Sequence, residues 1–268
     1  MSRPGRKNQE NEIREYYRTL YNAWGAQHWW PAETPFEVIV GAYLTQNTAW
    51  TNVERALAKL RDAQLLSING IRQVRLSRLE RLIRSSGYFR QKARRLKTFV
   101  AFLDKKYDGS LDRLFSQPTE RLREELLSLN GVGPETADSI LLYAGSHPVF
   151  VVDAYTRRIL NRHEILPDKT DYEDIRELFE RALAPIATEQ QQIPEKTPPL
   201  ESGFRGAAHS PSAMSTAHRT ALAQVYNEMH GLIVGVGKQY CKKSAPDCEG
   251  CPLLPFLPAD RKVTKSKK

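Results

Sequence analysis

Apolar residues return at intervals of three and four along most of the chain, as in Ile13, Tyr16, Tyr17 and Leu20, and again in Val38, Ile39, Ala42 and Tyr43. The same spacing continues through Leu57 and Leu60, through Leu96, Phe99 and Leu103, and through Leu122, Leu126 and Leu129, with turn-forming residues between the segments. Such a period gathers apolar side chains on one stripe of a helix, so an all-α protein is expected. The one convincing β-like run, Val149–Val152, is short, lies between Pro148 and Asp153, and has no partner run of similar composition. It is expected to be an extended connector. From about residue 184 to 220 the chain turns to Gln, Pro, Ser, Thr and Gly, which predicts a flexible insertion between two helices. Helical spacing resumes with Ala221, Leu222, Val225, Tyr226 and Met229, so the insertion interrupts a domain rather than ending it. No internal repeat of solenoid length is present.

A chain of 268 residues can bury a sizeable core as one large domain or two modest ones. Hydrophobic residues make up 40% and charged residues 26%, the balance of an ordinary globular protein. Every apolar run is broken well before the roughly 18 residues needed to cross a bilayer, which excludes an integral helical membrane protein. The first ten residues are polar and lack the apolar centre of a signal peptide, so a cytoplasmic protein is expected, nucleoid-associated if bacterial.

Charge narrows the partner. Lys and Arg number 40 against 31 Asp and Glu, a formal charge of +9 that favours a polyanion. Between Arg72 and Lys97 there are ten basic residues and one acid, Glu80. Arg72, Arg75, Arg78, Arg81 and Arg84 recur every third residue; on a helix this makes a slowly drifting stripe. A solvated face would normally mix signs, so phosphate contact is the favoured reading. The basic tail, residues 259–268, is expected to be disordered and to add non-specific attraction only.

The most informative stretch is 126–143, where two amphipathic segments are joined by Asn130-Gly131-Val132-Gly133 and Pro134 stands at the start of the second. Two glycines permit a tight turn and close approach of another backbone, while free N–H groups at the helix start point at an anion. That suits a DNA phosphate, although any helical hairpin can use Gly-x-Gly. The segment resembles the helix-hairpin-helix motif of the endonuclease III-like superfamily of DNA glycosylases, with Val151-Val-Asp-Ala-Tyr-Thr-Arg-Arg158 following at the family's spacing. The likeness extends through Leu44-Thr-Gln-Asn-Thr48, the stretch Ser86–Leu96, His230-Gly231 and a cysteine cluster near the C-terminus. It implies double-stranded DNA carrying damaged bases as partner, a monomeric enzyme, and phosphate contacts from Asn130, Gly131, Gly133, Glu135 and Thr136.

Asp153 stands before a helical segment, where a carboxylate makes a good N-cap worth about 1 kcal/mol. In the family this position is the catalytic carboxylate, which stabilises the positive charge that develops on the sugar as an N-glycosidic bond breaks, and orients water. Bifunctional members carry a lysine two residues after the second hairpin glycine, and its amine forms a Schiff base with the sugar. Here that position is Glu135, so the resemblance implies a monofunctional, hydrolytic enzyme, unless Lys238 substitutes for the lysine in space.

His28-Trp-Trp-Pro31, Phe36 and Gly41–Trp50 are closest to the 3-methyladenine glycosylases of endonuclease III type. The resemblance places Trp29, Trp30 and Trp50 at a base pocket with Lys238 nearby; aromatic faces attract electron-poor methylated purines, and a flipped base needs such a slot. The alternative is that the tryptophans fill a core, but two adjacent ones on a helix cannot both point inward. Gln46 and Asn47 match the polar wedge that fills the gap left by the flipped nucleotide, or else are satisfied polar residues at a loop. A second pocket lysine expected after His-Gly is replaced by Leu232.

Cys241-x6-Cys248-x2-Cys251-Pro252 repeats three ligands of the superfamily's iron–sulfur loop, and the fourth position is Leu257. Thiols at these spacings in a cytosolic chain read as metal ligands rather than disulfides. Three thiolates can hold a 4Fe-4S cluster with water or a non-cysteine ligand at the fourth iron; the loop can also be a metal-free remnant, or hold zinc with His230. In the family this loop sets basic residues against DNA, so the resemblance implies phosphate contact by Lys242 and Lys243 in either case. The expected architecture is a two-lobed helix-hairpin-helix glycosylase fold, residues 36–148 forming a helical barrel and residues 1–35 with 149–258 a second lobe, the DNA lying between. Two competitors are an oxidised-pyrimidine glycosylase with abasic-site lyase activity and a catalytically silent DNA-binding module.

Overall fold

A computed structural model of the chain describes residues 6–190, 206–207 and 209–259. All regular structure among them is helical, and no helix is long and apolar enough to cross a membrane. The chain divides into two units. One holds Ala32–His147 with Ser212–Met214; the other holds the chain up to Pro31, Pro148–Pro211 and everything from Ser215 on.

In the first of these units, α2 (Pro35–Thr45) is the central helix, buried along Phe36–Leu44. Its start is written locally: Thr34 caps it by accepting the Glu37 N–H at 3.1 Å, and Pro35 fits the first turn. Helix α2 packs against α3 (Trp50–Asp62) and α6 (Phe89–Tyr107), and α4 (Ile68–Gln73) and α5 (Leu76–Leu82) pack on α6. They are followed by α7 (Leu111–Phe115), α8 (Thr119–Leu127) and α9 (Pro134–Ser139), the last running into a π-turn at Ile140–Ala144. A buried two-pronged pair ties α8 to α9, with Arg123 Nε 2.7 Å and Nη2 3.1 Å from the two Asp138 oxygens. The hairpin between these helices is therefore fixed at its base.

The arginines at 72, 75, 78, 81 and 84 do not share one helix. They are distributed over α4, the cap of α5, α5 and the 3-10 turn Arg84–Ser86, because Val74 and Ile83 are buried where the chain turns. All five remain exposed. Arg72 is committed to Asp104 at 2.6 Å.

The other unit consists of α1 (Arg6–Trp24), α10 (Ala154–Arg162), α11 (Tyr172–Gln190) and α12 (Ala221–Gln239), with α1 packed on α11 and α11 on α12. Ile13, Tyr16, Leu20, Phe179, Leu183, Met229 and Ile233 are buried in its core, and the Phe150 ring stacks on Phe179 at 4.3 Å. Residues 149–152 are an extended, fully buried connector. The expected insertion is shorter at its start than its composition suggested. Helix α11 continues past residue 184 to Gln190, since Ile186 and Ala187 are buried on the helical period. At the other end Ala207, Met214, Ser215 and Arg219 are also buried. Residues 191–205 of the expected insertion and 260–268 of the tail lie outside the described residues.

Candidate active site and DNA-binding elements

The connector delivers Asp153 to a defined place. Phe150 N–H donates to Glu180 Oε1 at 3.0 Å and Val152 N–H to the Tyr172 hydroxyl at 3.2 Å, so the strand-like run is anchored before α10 begins. Asp153 is the N-cap of α10: its Oδ1 accepts the Thr156 N–H at 2.8 Å and the Thr156 hydroxyl at 2.9 Å. Its Oδ2 lies 3.7 Å from His230 Nε2. Burial pushes the carboxyl up, but His230 and the two Thr156 donors outweigh it and hold the group below its ordinary value. The two oxygens are divided, Oδ1 spent on the helix cap and Oδ2 turned to His230.

His230 connects Asp153 to aromatic residues. The Trp29 ring meets His230 at 5.9 Å, Trp30 at 5.8 Å and His209 at 5.5 Å, and Lys238 Nζ lies 5.7 Å from its centre. Trp29 and Trp30 are in an irregular loop after α1, not on a helix, and both are buried, which overturns the argument that one must point outward. The indole Nε1 of Trp29 is buried and meets no acceptor among the described residues. Gly231 is required here, because a Cβ would stand 2.9 Å from the Gln27 side chain and 3.1 Å from that of Trp29. The His-Gly pair on α12 thus has two jobs, a ring beside Asp153 and a gap for the tryptophan loop. Leu232, where a lysine was expected, is a fully buried core position. Trp50 belongs to the other unit, where its Nε1 donates to Glu54 at 2.9 Å.

In that unit the hairpin is built around Arg95. Gly131 has φ +79°, and a Cβ on it would lie 1.9 Å from Arg95 Nε. Arg95 Nη1 donates to Gln46 Oε1 at 2.8 Å, and Gln46 Nε2 donates to the Gly131 carbonyl and the Thr136 hydroxyl, each at 2.9 Å. Gln46 is therefore occupied in clamping the hairpin, whereas its neighbour Asn47 is exposed with φ +52° at the turn after α2. Gly133 differs from Gly131: its φ is −96°, and nothing lies within 4 Å of the place a Cβ would take. Neither backbone nor packing demands a glycine there. Glu135 is exposed in the first turn of α9, while Thr136 is buried.

Residues 40–185 match the model of the HhH-GPD superfamily of base excision DNA repair proteins. The chain belongs to the HhH-GPD superfamily. It is a DNA N-glycosylase. A protein of Methanocaldococcus jannaschii assigned by name to the DNA repair glycosylases is 38% identical over 252 residues, 94% of this chain and 98% of that one. Among solved structures, H. pylori 3-methyladenine DNA glycosylase bound to 1,N6-ethenoadenine is similar with a TM-score of 0.67 and 28% identity, covering 86% of this chain and 97% of the other. A trapped covalent complex of endonuclease III with DNA aligns at TM-score 0.68 and 22% identity over 96% and 99%, which shows the shared fold.

Around the HhH-GPD hairpin, two features escaped the sequence reading. Tyr88 is 69% exposed, the one exposed large apolar side chain among the described residues, and has φ +42° beside Gly87. Arg84 and Arg90 both lie 5.9 Å from the adjoining Phe89 ring. An aromatic after a glycine in a basic stretch was the available signal. Lys92 is the other. It is buried, donates to the carbonyls of Leu44 at 2.9 Å and Ser86 at 2.6 Å, and fastens this turn to the end of α2. Burial and neighbouring Arg95 pull its pKa down to about 8.

The three cysteines come together at one cavity, lined also by Arg162, His163, Asp247 and Leu257. Arg162 Nη1 donates to Cys241 Sγ at 3.2 Å. Burial raises the Cys251 thiol to about 11 and, with Cys241 nearby, raises Cys248 as well. No three His, Cys, Asp or Glu among the described residues are gathered closely enough to hold a single ion. His230, considered for zinc, instead faces Asp153 and Trp29; the histidine at the cavity is His163, whose Nδ1 is 2.7 Å from the Tyr16 hydroxyl. The cavity thus offers three thiols, and Leu257, which has no donor atom, in the same lining.

Proposed function

We propose that this HhH-GPD protein is a monofunctional DNA glycosylase that removes an alkylated purine from duplex DNA by hydrolysis. The observation that carries the reading is Asp153: an ionised carboxylate at a helix start, 3.7 Å from His230, which in turn abuts Trp29. With the nucleotide flipped, the C1′–N bond breaks and its electron pair leaves with the base. Asp153 stabilises the cationic sugar, and water adds to C1′ as its proton passes to the carboxylate. Trp29 and Trp30 supply the aromatic surface for the base, with Lys238 at its edge, and Trp50 is assigned to the same pocket by resemblance.

Gly133, open on its outer side, supports phosphate contact through the hairpin N–H groups of residues 130–136, and the exposed arginines from Arg75 to Arg94 add attraction that salt weakens. Asn47 and Tyr88, both exposed at turns with positive φ, are the candidates to fill the gap in the base stack. Glu135 in the position of the family's lysine supports hydrolysis without strand cleavage. Cys241, Cys248 and Cys251 would hold a 4Fe-4S cluster, whose part is to brace the loop that carries Lys242 and Lys243.

Base release from duplexes bearing 3-methyladenine, 7-methylguanine, hypoxanthine, uracil or an oxidised pyrimidine tests the reading. The expected result is release of a methylated purine, with strands intact until alkali. Strand breaks without alkali and a borohydride-trapped adduct would instead establish a lyase, with Lys238 beside Trp29 as the first candidate amine.

A further inference from the structure

Among the described residues, the Trp29 ring meets Trp30, His209, His230 and the Lys238 ammonium, which differ in anchorage. Trp30 is its chain neighbour, and His230 and Lys238 both stand on α12. His209 alone arrives from irregular chain between α11 and α12, in a region whose composition resembles a linker.

That chain is nevertheless clasped. Gln27, fully buried, accepts the Ala207 N–H at its Oε1 (2.7 Å) and the His209 N–H at its backbone carbonyl (3.1 Å). Gln27 is held in turn, donating its own N–H to Glu228 Oε2 at 2.7 Å and its side-chain amide to the Gly25 carbonyl at 3.0 Å. The approach is close enough to need glycine on both sides: a Cβ on Gly235 of α12 would lie 2.8 Å from Ala207 N, and one on Gly206, at φ +69°, 2.5 Å from Gln27 Oε1. Two satisfied backbone donors and two close-contact glycines describe a fixed wall, and the imidazole of His209 is the part of it that touches the indole.

We propose that His209 is a specificity-determining residue of the base pocket, a wall placed by the Gln27 clasp that limits the bulk of the base Trp29 can receive. The inference rests on Trp29 being a pocket residue. Among these neighbours His209 stands on neither α12 nor the tryptophan pair and does not face Asp153, so shortening it opens space beside the indole.

The test compares kcat/KM for release of 3-methyladenine and of the bulkier 1,N6-ethenoadenine by the wild type, His209→Ala, His209→Phe and Trp29→Ala. His209→Ala is expected to shift the ratio at least tenfold toward ethenoadenine while its melting temperature stays near wild type. His209→Phe, which keeps a ring, should restore the wild-type preference or tighten it. Tryptophan emission should also rise in His209→Ala, as an imidazole in contact with an indole quenches it. An unchanged ratio in His209→Ala, with Trp29→Ala impaired, would overturn the proposal. If Trp29→Ala also releases both bases at the wild-type rate, the pocket reading itself fails.

Discussion

Gly131 and Gly133 sit two residues apart in one hairpin, and the structure assigns them different reasons for being glycine. At Gly131 the backbone has φ +79°, where a side chain costs about 1–2 kcal/mol. The new Cβ would also lie 1.9 Å from Arg95 Nε, so Arg95 must move and release Gln46, a loss of about 1 kcal/mol. Gly131→Ala should therefore destabilise the protein by about 2–3 kcal/mol. At Gly133 the φ of −96° suits alanine and the space outside is empty. Alanine is a poorer cap than glycine, but it also narrows the unfolded ensemble, so Gly133→Ala should change stability by less than about 1 kcal/mol. With DNA bound, the same methyl would occupy the approach of a phosphate, whose charge-assisted hydrogen bonds contribute about 1.5–3 kcal/mol. Affinity should fall roughly tenfold to a hundredfold, and the slope of log K against log salt should shrink by about one. Thermal melting and fluorescence anisotropy with a labelled duplex at several salt concentrations measure both effects. A Gly133→Ala protein that binds like the wild type, or that loses affinity only in proportion to lost fold, would refute the assignment of the hairpin to phosphate.

Three further outcomes are expected. Burial carries the Glu228 carboxyl from 4.5 to about 7, against the opposing pull of the Gln27 N–H and Arg219. The folded state keeps a proton that the unfolded state releases, so this contribution is complete below about pH 4.5 and is lost, by about 3 kcal/mol, as pH rises through 7. Glu228→Gln, which cannot ionise, should then gain on the wild type in urea unfolding as the buffer is raised from about pH 5 to about pH 8, and a constant difference would contradict the assignment. Asp138→Ala removes the buried carboxylate that holds the Arg123 guanidinium by two hydrogen bonds and should cost about 3–5 kcal/mol, read as a large fall in melting temperature. Protein purified without oxygen should contain iron and acid-labile sulfide with cluster absorbance in the visible, all lost in Cys251→Ser; wild-type protein free of both would contradict the cluster.

Much of this was legible from spacing. The apolar period identified the helices, and the isolated run before Asp153 was read as the connector it is, because a short β-like segment without a partner has nowhere to pair. The cap role of Asp153 was also visible, since capping depends only on a carboxylate three residues before a free N–H. Tertiary arrangement was harder. The arginine period suggested one stripe, but burial of Val74 and Ile83 breaks the chain into short helices. The tryptophan pair was placed on a helix because local pattern does not reveal a loop held by the distant Glu228 through Gln27. The sequence offers Gln46 as a polar wedge or as a satisfied loop residue, and only the fold shows its partners, Arg95 and Gly131. His209 lay in sequence that composition alone would dismiss as linker.

The central claim is that Asp153 supplies the charge on which base release depends. Asn at that position keeps an oxygen to accept the Thr156 N–H, so α10 stays capped while the carboxylate is lost. Single-turnover release of a methylated purine should then fall by orders of magnitude in Asp153→Asn, with melting temperature and affinity for the damaged duplex close to wild type. Release at the wild-type rate by that folded, DNA-binding variant would contradict the account.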